Sequence, residues 1–418
     1  MPSLDRHIVG CLYCGRLGPY SDEHVVSAGL GGDDPAWMLR GCVCSRCNTS
    51  IFSKLESHVL KASPIALARL FNQPTTRDRK PPSPLQARTT LQMTDGGPQL
   101  AGELAAGGQP MLFAQVVFEE GPRGSITDNL ALTGPDLAAI QRLFVALRDL
   151  LADQLPLIEK RAADAFTVTP LTWQCDHYHT NDPTQTRKPP SSCVWFEQVR
   201  TPRTTGMIEA SSVFQRSSGQ VVGRSSDIHH LSTMLSLLRS NLGSLVAMLD
   251  QPVAPTTAVP RMNLQVKADL EAIHRTMVKI GLNLTAHLFS PSVLRRAEFD
   301  AAVSYALGEG GAPRRAQLPS QLLGPAIAER HVFYLSVNTD PNGNPALFFM
   351  ARLYDVGPIE SFVLAQFAAP AAGLESTVVH VDYTTNQFEQ MTLEEHLLRA
   401  QGLTGGVVDP ALLFQDKA

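Results

Sequence analysis

The sequence predicts an α+β fold, in which a small cysteine-stapled N-terminal module precedes a larger region of mixed helices and antiparallel strands. Three observations support this prediction. Five of the seven cysteines lie between Cys11 and Cys47, a segment too short to bury a core of its own. Several later segments repeat their apolar residues at helical spacing. The segment from His331 to Tyr383 instead contains short apolar runs separated by turns.

Length and composition indicate an ordered globular protein with more than one domain. The chain has 418 residues, of which 44% are hydrophobic and 18% are charged, and this length predicts two or three domains. No run of about 18 apolar residues is present, so we expect no transmembrane helix. Asp5, Arg6 and His7 make the N-terminus unlike a secretory signal. Cysteines concentrated in one segment indicate metal binding in a reducing compartment, which predicts a cytoplasmic protein.

Changes in composition divide the chain into three predicted domains. The N-terminal module is expected at 1–72, and a polar, proline-rich linker follows at 73–84. An α+β domain is expected at 85–250, followed by a proline-punctuated linker at 251–260. The last domain, 261–418, is predicted to contain a helical pair and then antiparallel strands.

The first half of the chain is predicted to contain both helices and strands. Ile51 to Leu70 carries a rough apolar stripe that predicts a helix, which Pro64 interrupts near Ser63. Strand-like runs such as Met111 to Phe118 follow, and an amphipathic helix is expected after Pro135.

The second half contains longer helices and then strands. One helix is predicted from about Asp227, which would cap it, to Leu249. Two more are predicted at about 264–289 and 292–307. Asp340-Pro-Asn-Gly343 has the composition of a hairpin turn between the first two strands of the last domain. These strands are predicted at Val332 to Val337, Ala346 to Tyr354, Ile359 to Phe367 and Ser376 to Tyr383.

Two Cys-x-x-Cys pairs form the most specific pattern in the chain. Cys11 and Cys14 are the first pair, and Cys44 and Cys47 are the second. Four thiolates at this spacing are typical of a structural zinc site, which stabilises segments that lack a core. Cys42 is a further thiol that could replace Cys44, but the two-residue spacing of Cys44 and Cys47 makes the better chelate.

Other residues complete the pattern around these cysteines. Glu23-His24 lies between the two pairs, Gly29-Leu-Gly-Gly32 follows it, and Asn48 comes directly after Cys47. In this order and spacing the segment resembles the HNH (ββα-metal) endonuclease family, in its zinc-stabilised form with two Cys-x-x-Cys pairs. The resemblance implies a treble-clef-like ββα-metal module with the acid-His pair on a strand at Ser21 to Val26. This module would be fused to a long uncharacterised C-terminal region.

The resemblance also implies roles for the residues of the motif. His24 would be the general base that deprotonates water, because imidazole changes charge near neutral pH. Glu23 and the amide oxygen of Asn48 would hold a catalytic Mg²⁺ or Mn²⁺, a hard ion that prefers oxygen ligands. The Zn²⁺ of the four cysteines would be a separate structural site.

Two parts of the family pattern have no direct counterpart. The middle Asn of the family would fall between Trp37 and Leu39, where none is present. For the last letter of the HNH pattern, Glu56 and His58 are the candidates, as a further ligand or a substrate-positioning group. Glu56 lies two four-residue helical steps after Asn48 and His58 does not, so Glu56 is the better candidate.

Positive charge is concentrated near the cysteine pairs. The formal net charge of the chain is −4, but residues 1–80 contain ten Lys and Arg against seven Asp and Glu. Phosphate contacts need positive charge near the site and do not require the whole protein to be basic. We therefore expect DNA backbone contacts from Arg16, Arg40, Arg46 and Lys54, although each could equally be an ordinary solvated charge.

The HNH resemblance implies a metal-dependent endonuclease that hydrolyses DNA phosphodiester bonds, and the length of the remaining chain suggests a regulated effector, by analogy with bacterial defence proteins. The acidic C-terminal region would bind a protein partner or an activating ligand, or would oligomerise, and would restrain cleavage. A fragment ending near Pro81 to Pro84 would then cut with less dependence on an activator. Two alternatives stay open: a zinc-stabilised nucleic-acid- or protein-binding module without catalysis, and a nuclease subunit active only in a complex.

One segment of the C-terminal region has a second resemblance. Thr276-Met-Val-Lys279-Ile-Gly-Leu-Asn283 is similar to a helix of bacterial HNH proteins that carry a long C-terminal region. The alternative is an ordinary core helix with one buried Asn. Neither interpretation assigns any chemistry to this helix.

Overall fold

The computed structural model describes most of the chain. The described residues are 10–73, 75, 80, 82, 85, 87–93, 97–120, 126–162, 165–199, 209–247, 261–266, 268–316, 318, 320–340, 342–354, 360–369 and 373–401. Most of the predicted linker at 73–84 and all of the predicted linker at 251–260 lie outside the described residues.

The chain divides into two compact units. Unit 1 comprises Met1–Gln86, Ala106–Gly108 and Val266–Ala418, and unit 2 comprises Ala87–Ala105 and Gln109–Gln265. The module predicted at 1–72 and most of the domain predicted at 261–418 therefore belong to the same unit.

The described part of the chain contains twenty strands and seven α-helices. Strands β1 to β7 are Tyr20–His24, Met38–Cys44, Arg88–Gln92, Gln99–Leu104, Pro110–Leu112, Ala114–Glu120 and Ile126–Thr133. Strands β8 to β14 are Gln154–Ala162, Ala165–Gln174, His177–Thr180, Thr184–Thr186, Val194–Gln198, Ser212–Gln215 and Val221–Ser225. Strands β15 to β20 are Arg261–Gln265, Arg330–Thr339, Pro345–Arg352, Glu360–Gln366, Thr377–Asp382 and Gln387–Met391.

The helices are distributed over both units. Helices α1 to α7 are Ser53–Ala62, Pro64–Asn72, Leu137–Leu150, Ile228–Ala247, Leu270–Leu288, Asp300–Leu307 and Leu393–Ala400. None of the described helices combines the length and the apolar character that a membrane span requires. The predicted mixed α+β class is confirmed.

Unit 1 builds one core from its N-terminal and C-terminal segments. β1 and β2 pair antiparallel, with Glu23 opposite Leu39 and His24 opposite Met38. A five-stranded antiparallel sheet has the order β18-β17-β16-β19-β20. The buried apolar cluster runs without interruption from Val25 beside the cysteines, through α5, to Phe349 of this sheet. The N-terminal segment therefore shares its core with residues more than 250 positions later.

Helix α5 lies inside this core. Thirteen of its nineteen residues are buried, which is the pattern of a helix packed on nearly all sides. The carboxylate of Asp269 caps its first turn by accepting the N–H of Ala272 at 3.0 Å. Because α5 is enclosed, its buried polar residues Lys279 and Asn283 need partners from the surrounding protein.

The described residues of unit 2 form two sheets and two α-helices. Its nine-stranded sheet has the order β10-β9-β8-β12-β14-β13-β6-β7, with β11 paired to β9. β12 runs parallel to both of its neighbours, β8 and β14. Leu143 and Leu147 of α3 and Leu231 and Leu235 of α4 belong to one buried cluster with residues of this sheet. The second sheet has the order β15-β3-β4-β5.

Two local predictions from the sequence are confirmed. α1 ends at Ala62 and α2 begins with Pro64, where the hydroxyl oxygen of Ser63 caps the new helix. The turn between β16 and β17 is held by the carboxylate of Asp340, which accepts two backbone N–H groups of the turn. Gly343 adopts φ +83° there, a conformation that favours glycine.

Two helix starts differ from the prediction. In place of the single helix expected at about 292–307, two 3-10 segments, Pro291–Arg295 and Ala297–Phe299, precede α6, which begins at Asp300. The helix expected at about 264–289 begins only at Leu270. Arg261–Gln265 instead pairs antiparallel with β3 as β15. Backbone hydrogen bonds to a neighbouring strand outweigh the local helical pattern at this point.

Candidate functional site

The four cysteines of the two pairs come together. Cys11 and Cys14 lie in the turn before β1, and Cys44 ends β2. Cys47 lies in the π-type turn Arg46–Phe52, which leads into α1. Their Sγ atoms all lie within 4.8 Å of one another. Zinc binds sulfur at about 2.3 Å, which places tetrahedral sulfurs about 3.8 Å apart. The four cysteines therefore have the size and chemistry of a site that could bind a metal such as zinc.

The surroundings favour the thiolate of Cys11, whereas burial raises the pKa of Cys14 and the hydrogen bond to the Cys11 sulfur raises the pKa of Cys47. The N–H of Cys44 donates to Cys11 Sγ at 3.3 Å, and the N–H of Cys47 donates to Cys44 Sγ at 3.5 Å. The Cys47 thiol and neighbouring backbone N–H groups lower the pKa of Cys11 to about 4. Cys42 is buried outside the cluster, and its thiol donates to the carbonyl oxygen of Arg40 at 3.1 Å.

His24 ends β1 with its imidazole partly exposed. Its Nδ1 lies 3.1 Å from the carbonyl oxygen of Gly32. A carbonyl oxygen only accepts hydrogen bonds, so Nδ1 carries the proton and Nε2 carries the lone pair of the neutral ring. Nε2 lies 3.8 Å from Asp33 Oδ1, and the His24 side chain is 22% exposed. The ring is thus oriented through one nitrogen, while the other faces a carboxylate at the surface.

The glycine-rich loop provides the carbonyl that orients His24. The N–H of Gly32 donates to the carbonyl oxygen of Ser27 at 3.1 Å, which closes the loop on itself. A Cβ at Gly32 would meet the carbonyl oxygen of Val26 at 2.0 Å, so only glycine fits there. Gly31 has φ +80°, which also favours glycine. The loop composition is therefore required by the close turn that faces His24.

Glu23 points away from the imidazole. Neighbouring side chains of a strand project to opposite faces, and Glu23 is only 3% exposed, against the core. Its carboxylate forms an ion pair with Lys279 of α5 and accepts the side-chain N–H of Asn283 at 3.3 Å. Burial raises the pKa of Glu23, and the Lys279 ammonium opposes this effect. The predicted role of Glu23 as a metal ligand stays a prediction.

Lys279 connects two carboxylates inside unit 1. Its side chain is fully buried, and its Nζ contacts Glu23 and lies 2.6 Å from Glu56 Oε1 of α1. Nζ also lies 5.7 Å from the centroid of the Phe52 ring. Burial alone would lower the pKa of Lys279, but the two carboxylates outweigh it and raise the pKa above its usual range. Lys279 is therefore a buried cation.

Asn283 lies one helical turn after Lys279, on the same face of α5. Its amide group donates to the carbonyl oxygen of His24 at 3.0 Å as well as to Glu23. Its side-chain oxygen accepts the hydroxyl of Tyr13 at 2.5 Å. Tyr13 itself lies between Cys11 and Cys14, so this hydrogen bond connects the cysteine cluster to α5.

The structure places the remaining predicted site residues in different surroundings. Asn48 is half-buried in the turn before α1, and its amide N–H donates to the carbonyl oxygen of Asp22 in β1 at 2.8 Å. Glu56 faces Lys279. His58 Nε2 instead lies 3.3 Å from Asp269 Oδ2, with the His58 side chain 50% exposed. Glu56 therefore joins Glu23 in one network, and His58 does not contact it.

The four basic residues predicted to contact DNA are all exposed. They are Arg16 before β1, Arg40 within β2, Arg46 at the start of the π-type turn, and Lys54 in α1. The guanidinium of Arg40 donates to the carbonyl oxygen of Pro35 at 2.8 Å. Their exposure is compatible with phosphate contacts and equally with solvated charges.

Sequence reasoning assigned no role to Lys279, Asn283, Tyr13 or Asp33, although it singled out the helical segment that contains the first two. The available signal for the first two was a charged and an amide side chain inside an otherwise apolar or small helical segment, which is a rare arrangement. No second group of three or more His, Cys, Asp or Glu side chains with metal-binding spacing occurs among the described residues. No known family model, curated protein or solved structure matches this chain.

Proposed function

We propose that the chain is a metal-dependent endonuclease that hydrolyses DNA phosphodiester bonds, with His24 as the general base. The observation that carries this proposal is the hydrogen bond between His24 Nδ1 and the carbonyl oxygen of Gly32. It leaves Nε2 as an acceptor on a partly exposed ring. A base oriented through its other nitrogen has the arrangement that water activation requires.

The chemistry follows from the groups around His24. Nε2 takes a proton from water, and the resulting hydroxide attacks phosphorus. The bond from phosphorus to the 3′ oxygen breaks and the 3′ oxygen takes a proton from solvent water, which yields 5′-phosphate and 3′-hydroxyl ends. The imidazolium that forms faces the Asp33 carboxylate, 3.8 Å from Nε2, which stabilises its charge. Because the carbonyl of Gly32 holds Nδ1, the ring cannot turn away between the two states.

A divalent ion is part of this proposal. Bound Mg²⁺ or Mn²⁺ would neutralise the charge that develops on the leaving 3′ oxygen. Asn48 would offer its amide oxygen together with phosphate oxygens of the substrate, since Mg²⁺ commonly uses few protein ligands. Glu23, the second ligand that the HNH resemblance implies, would first have to exchange the ammonium of Lys279 for the ion.

The substrate would be held by its phosphates. Arg16, Arg40, Arg46 and Lys54 are exposed on the segment that carries His24 and Asn48. Each Lys or Arg that contacts a phosphate steepens the salt dependence of binding by about one unit on a double-logarithmic plot. Binding measured against salt concentration therefore counts the phosphate contacts.

The proposal is tested by nicking of supercoiled plasmid with Mg²⁺ or Mn²⁺, with and without EDTA. Wild type should cut only with the divalent ion, and His24→Ala should cut about 10²- to 10⁴-fold more slowly. Zinc content is measured after EDTA treatment, so that loss of the structural metal is not mistaken for loss of catalysis.

The matched control is His179→Ala, because His179 is exposed in unit 2. It should leave nicking unchanged. Equal nicking by His24→Ala and wild type would show that His24 is not the base. Nicking that survives EDTA would show that no divalent ion is needed.

One observation favours the alternative of a binding module without catalysis. The Glu23 carboxylate is already neutralised by Lys279 inside the core. If this ion pair never opens, a nuclease that needs Glu23 as a metal ligand would be inactive. The same preparations would then bind DNA with a salt-dependent affinity and nick no plasmid with either ion.

A further inference from the structure

The buried cation of α5 contacts two segments that are distant in sequence. Lys279 lies 223 residues after Glu56, and Asn283 lies 260 residues after Glu23. Lys279 has no exposed surface, so neither the cation nor its carboxylates are fully solvated by water. A buried charge of this kind is tolerated only when its partners are held in place.

Stability alone does not explain this arrangement. Replacing a buried ion pair by apolar residues of similar volume is often neutral or stabilising. An apolar side chain could occupy this position, since the centroid of the Phe52 ring already lies 5.7 Å from Lys279 Nζ and the rest of α5 packs in the apolar core. The charged network adds directional contacts. The Lys279 ammonium and the Asn283 amide fix the positions of the oxygen atoms they bind, which apolar packing would not do.

Several of the oxygen atoms that α5 contacts belong to His24 or to the residue before it. Lys279 and Asn283 hold the side chain of Glu23, the residue before it, and Asn283 donates to the carbonyl oxygen of His24 itself. On the other side of the strand, Gly32 holds the imidazole. The backbone at His24 is thus fixed from inside by α5 and its ring is fixed from outside by the glycine-rich loop.

We propose that Lys279 and Asn283 are positioning residues for His24, so that the C-terminal region completes the catalytic site. This inference rests on the proposed function. Glu23 then serves as the anchor of the strand through its contact with Lys279. A fragment ending near Pro81 to Pro84 would lack both positioning residues. The C-terminal region would therefore enable cleavage, the opposite of the restraint that the sequence predicts.

The test uses the full chain with Asn283→Ala and Lys279→Met. Asn283→Ala removes the hydrogen bonds to Glu23, His24 and Tyr13 and leaves the ion pair, so it can fold even if Lys279→Met does not. If either variant displaces His24, kcat should fall about 10- to 100-fold. KM for DNA and the zinc content should stay unchanged. Lys279→Arg keeps the cation and should retain more activity than Lys279→Met.

A second readout does not depend on cleavage. Hydrogen exchange in a peptide covering Tyr20 to Gly32 should speed up in both variants, while exchange in Val332 to Val337 stays as in wild type. Faster exchange together with an inactive wild type would mean that the endonuclease proposal fails and the anchoring by α5 stands. Folded Asn283→Ala protein with wild-type kcat and wild-type exchange would overturn the positioning role.

Discussion

The cysteine cluster and the Lys279 network stabilise the same short N-terminal segment by opposite means. The cluster brings together four sulfurs from within 37 positions of the chain. They come from the turn before β1, the end of β2 and the turn before α1. The network gathers Glu23 and Glu56 around a cation supplied by α5, more than 220 residues away. Tyr13 connects the two through its hydrogen bond to Asn283.

The cysteine cluster and the Lys279 network therefore locate different parts of the N-terminal segment. A metal cluster holds short segments together without a core, because the metal supplies the folding free energy. It leaves the far end of β1, where His24 lies, to be located by other contacts. The Lys279 network supplies these contacts, and it exists only when the N-terminal and C-terminal segments of unit 1 are packed together.

Loss of a cysteine should have the largest effect. Cys47→Ser removes one of four metal ligands, and metal binding contributes about 10–16 kcal/mol to the folding of small zinc modules. We expect zinc content below one ion per chain and loss of the folded N-terminal segment, measured by elemental analysis and by thermal unfolding. Cys175→Ser, at an exposed thiol in unit 2, should change neither quantity. Soluble wild-type protein without zinc would contradict the expectation.

Loss of the buried cation should come next. Lys279→Met leaves Glu23 and Glu56 without their shared partner, and breaking a buried pair in this way costs about 3–5 kcal/mol. The free energy of unfolding should fall by this amount in denaturant titrations, with zinc still bound. Adding Glu23→Gln to Lys279→Met should recover part of the loss, since the change removes one stranded charge. Strictly additive losses would show that the pair does not interact.

The free energy of unfolding should fall in acid, because the five-stranded sheet of unit 1 contains two buried histidines. Burial lowers the pKa of His331 and of His380 to about 3, whereas an unfolded His titrates near 6.5. Below about pH 6.5 the unfolded chain binds protons that the folded chain does not, so stability falls as the pH falls towards 3. Each His contributes a slope of about 1.4 kcal/mol per pH unit in this window.

Proton uptake on unfolding measures this effect separately from the metal cluster. At pH 5, calorimetry in two buffers of different ionisation enthalpy should show about one proton fewer for His331→Asn than for wild type. Asn is chosen because its amide oxygen can still accept the N–H of Tyr354, which His331 Nδ1 accepts at 3.1 Å. His179→Asn should keep the wild-type uptake.

The smallest effect is expected at an exposed contact between α1 and the start of α5. His58 of α1 lies 3.3 Å from Asp269, which caps α5, and both side chains are well exposed. Exposed pairs contribute about 0–1 kcal/mol, so His58→Ala should leave the free energy of unfolding nearly unchanged. A loss as large as that of Lys279→Met would mean that burial is not what distinguishes the two contacts between α1 and α5.

Local features of the fold were predictable because their causes are local. Pro64 has no N–H and restricts the residue before it, so the break between α1 and α2 follows from the sequence. Asp340 and Gly343 form the predicted turn for similar reasons. The start of α5 was not predictable in this way, because Arg261–Gln265 is determined by pairing with β3, about 170 positions earlier.

The sequence by itself identified the cysteine quartet, because two cysteines separated by two residues lie close together locally and two such pairs are typical of one metal site. The pairing of β1 with β2 then brings the two pairs together. It also identified the glycine-rich stretch Gly29-Leu-Gly-Gly32, but its contact with His24 and the lack of space for a Cβ at Gly32 follow from the structure. Only the tertiary structure decided that Glu23 and Glu56 face Lys279. A buried charge needs a counter-charge at a few ångströms, and that distance depends on how α5 packs against β1 and α1.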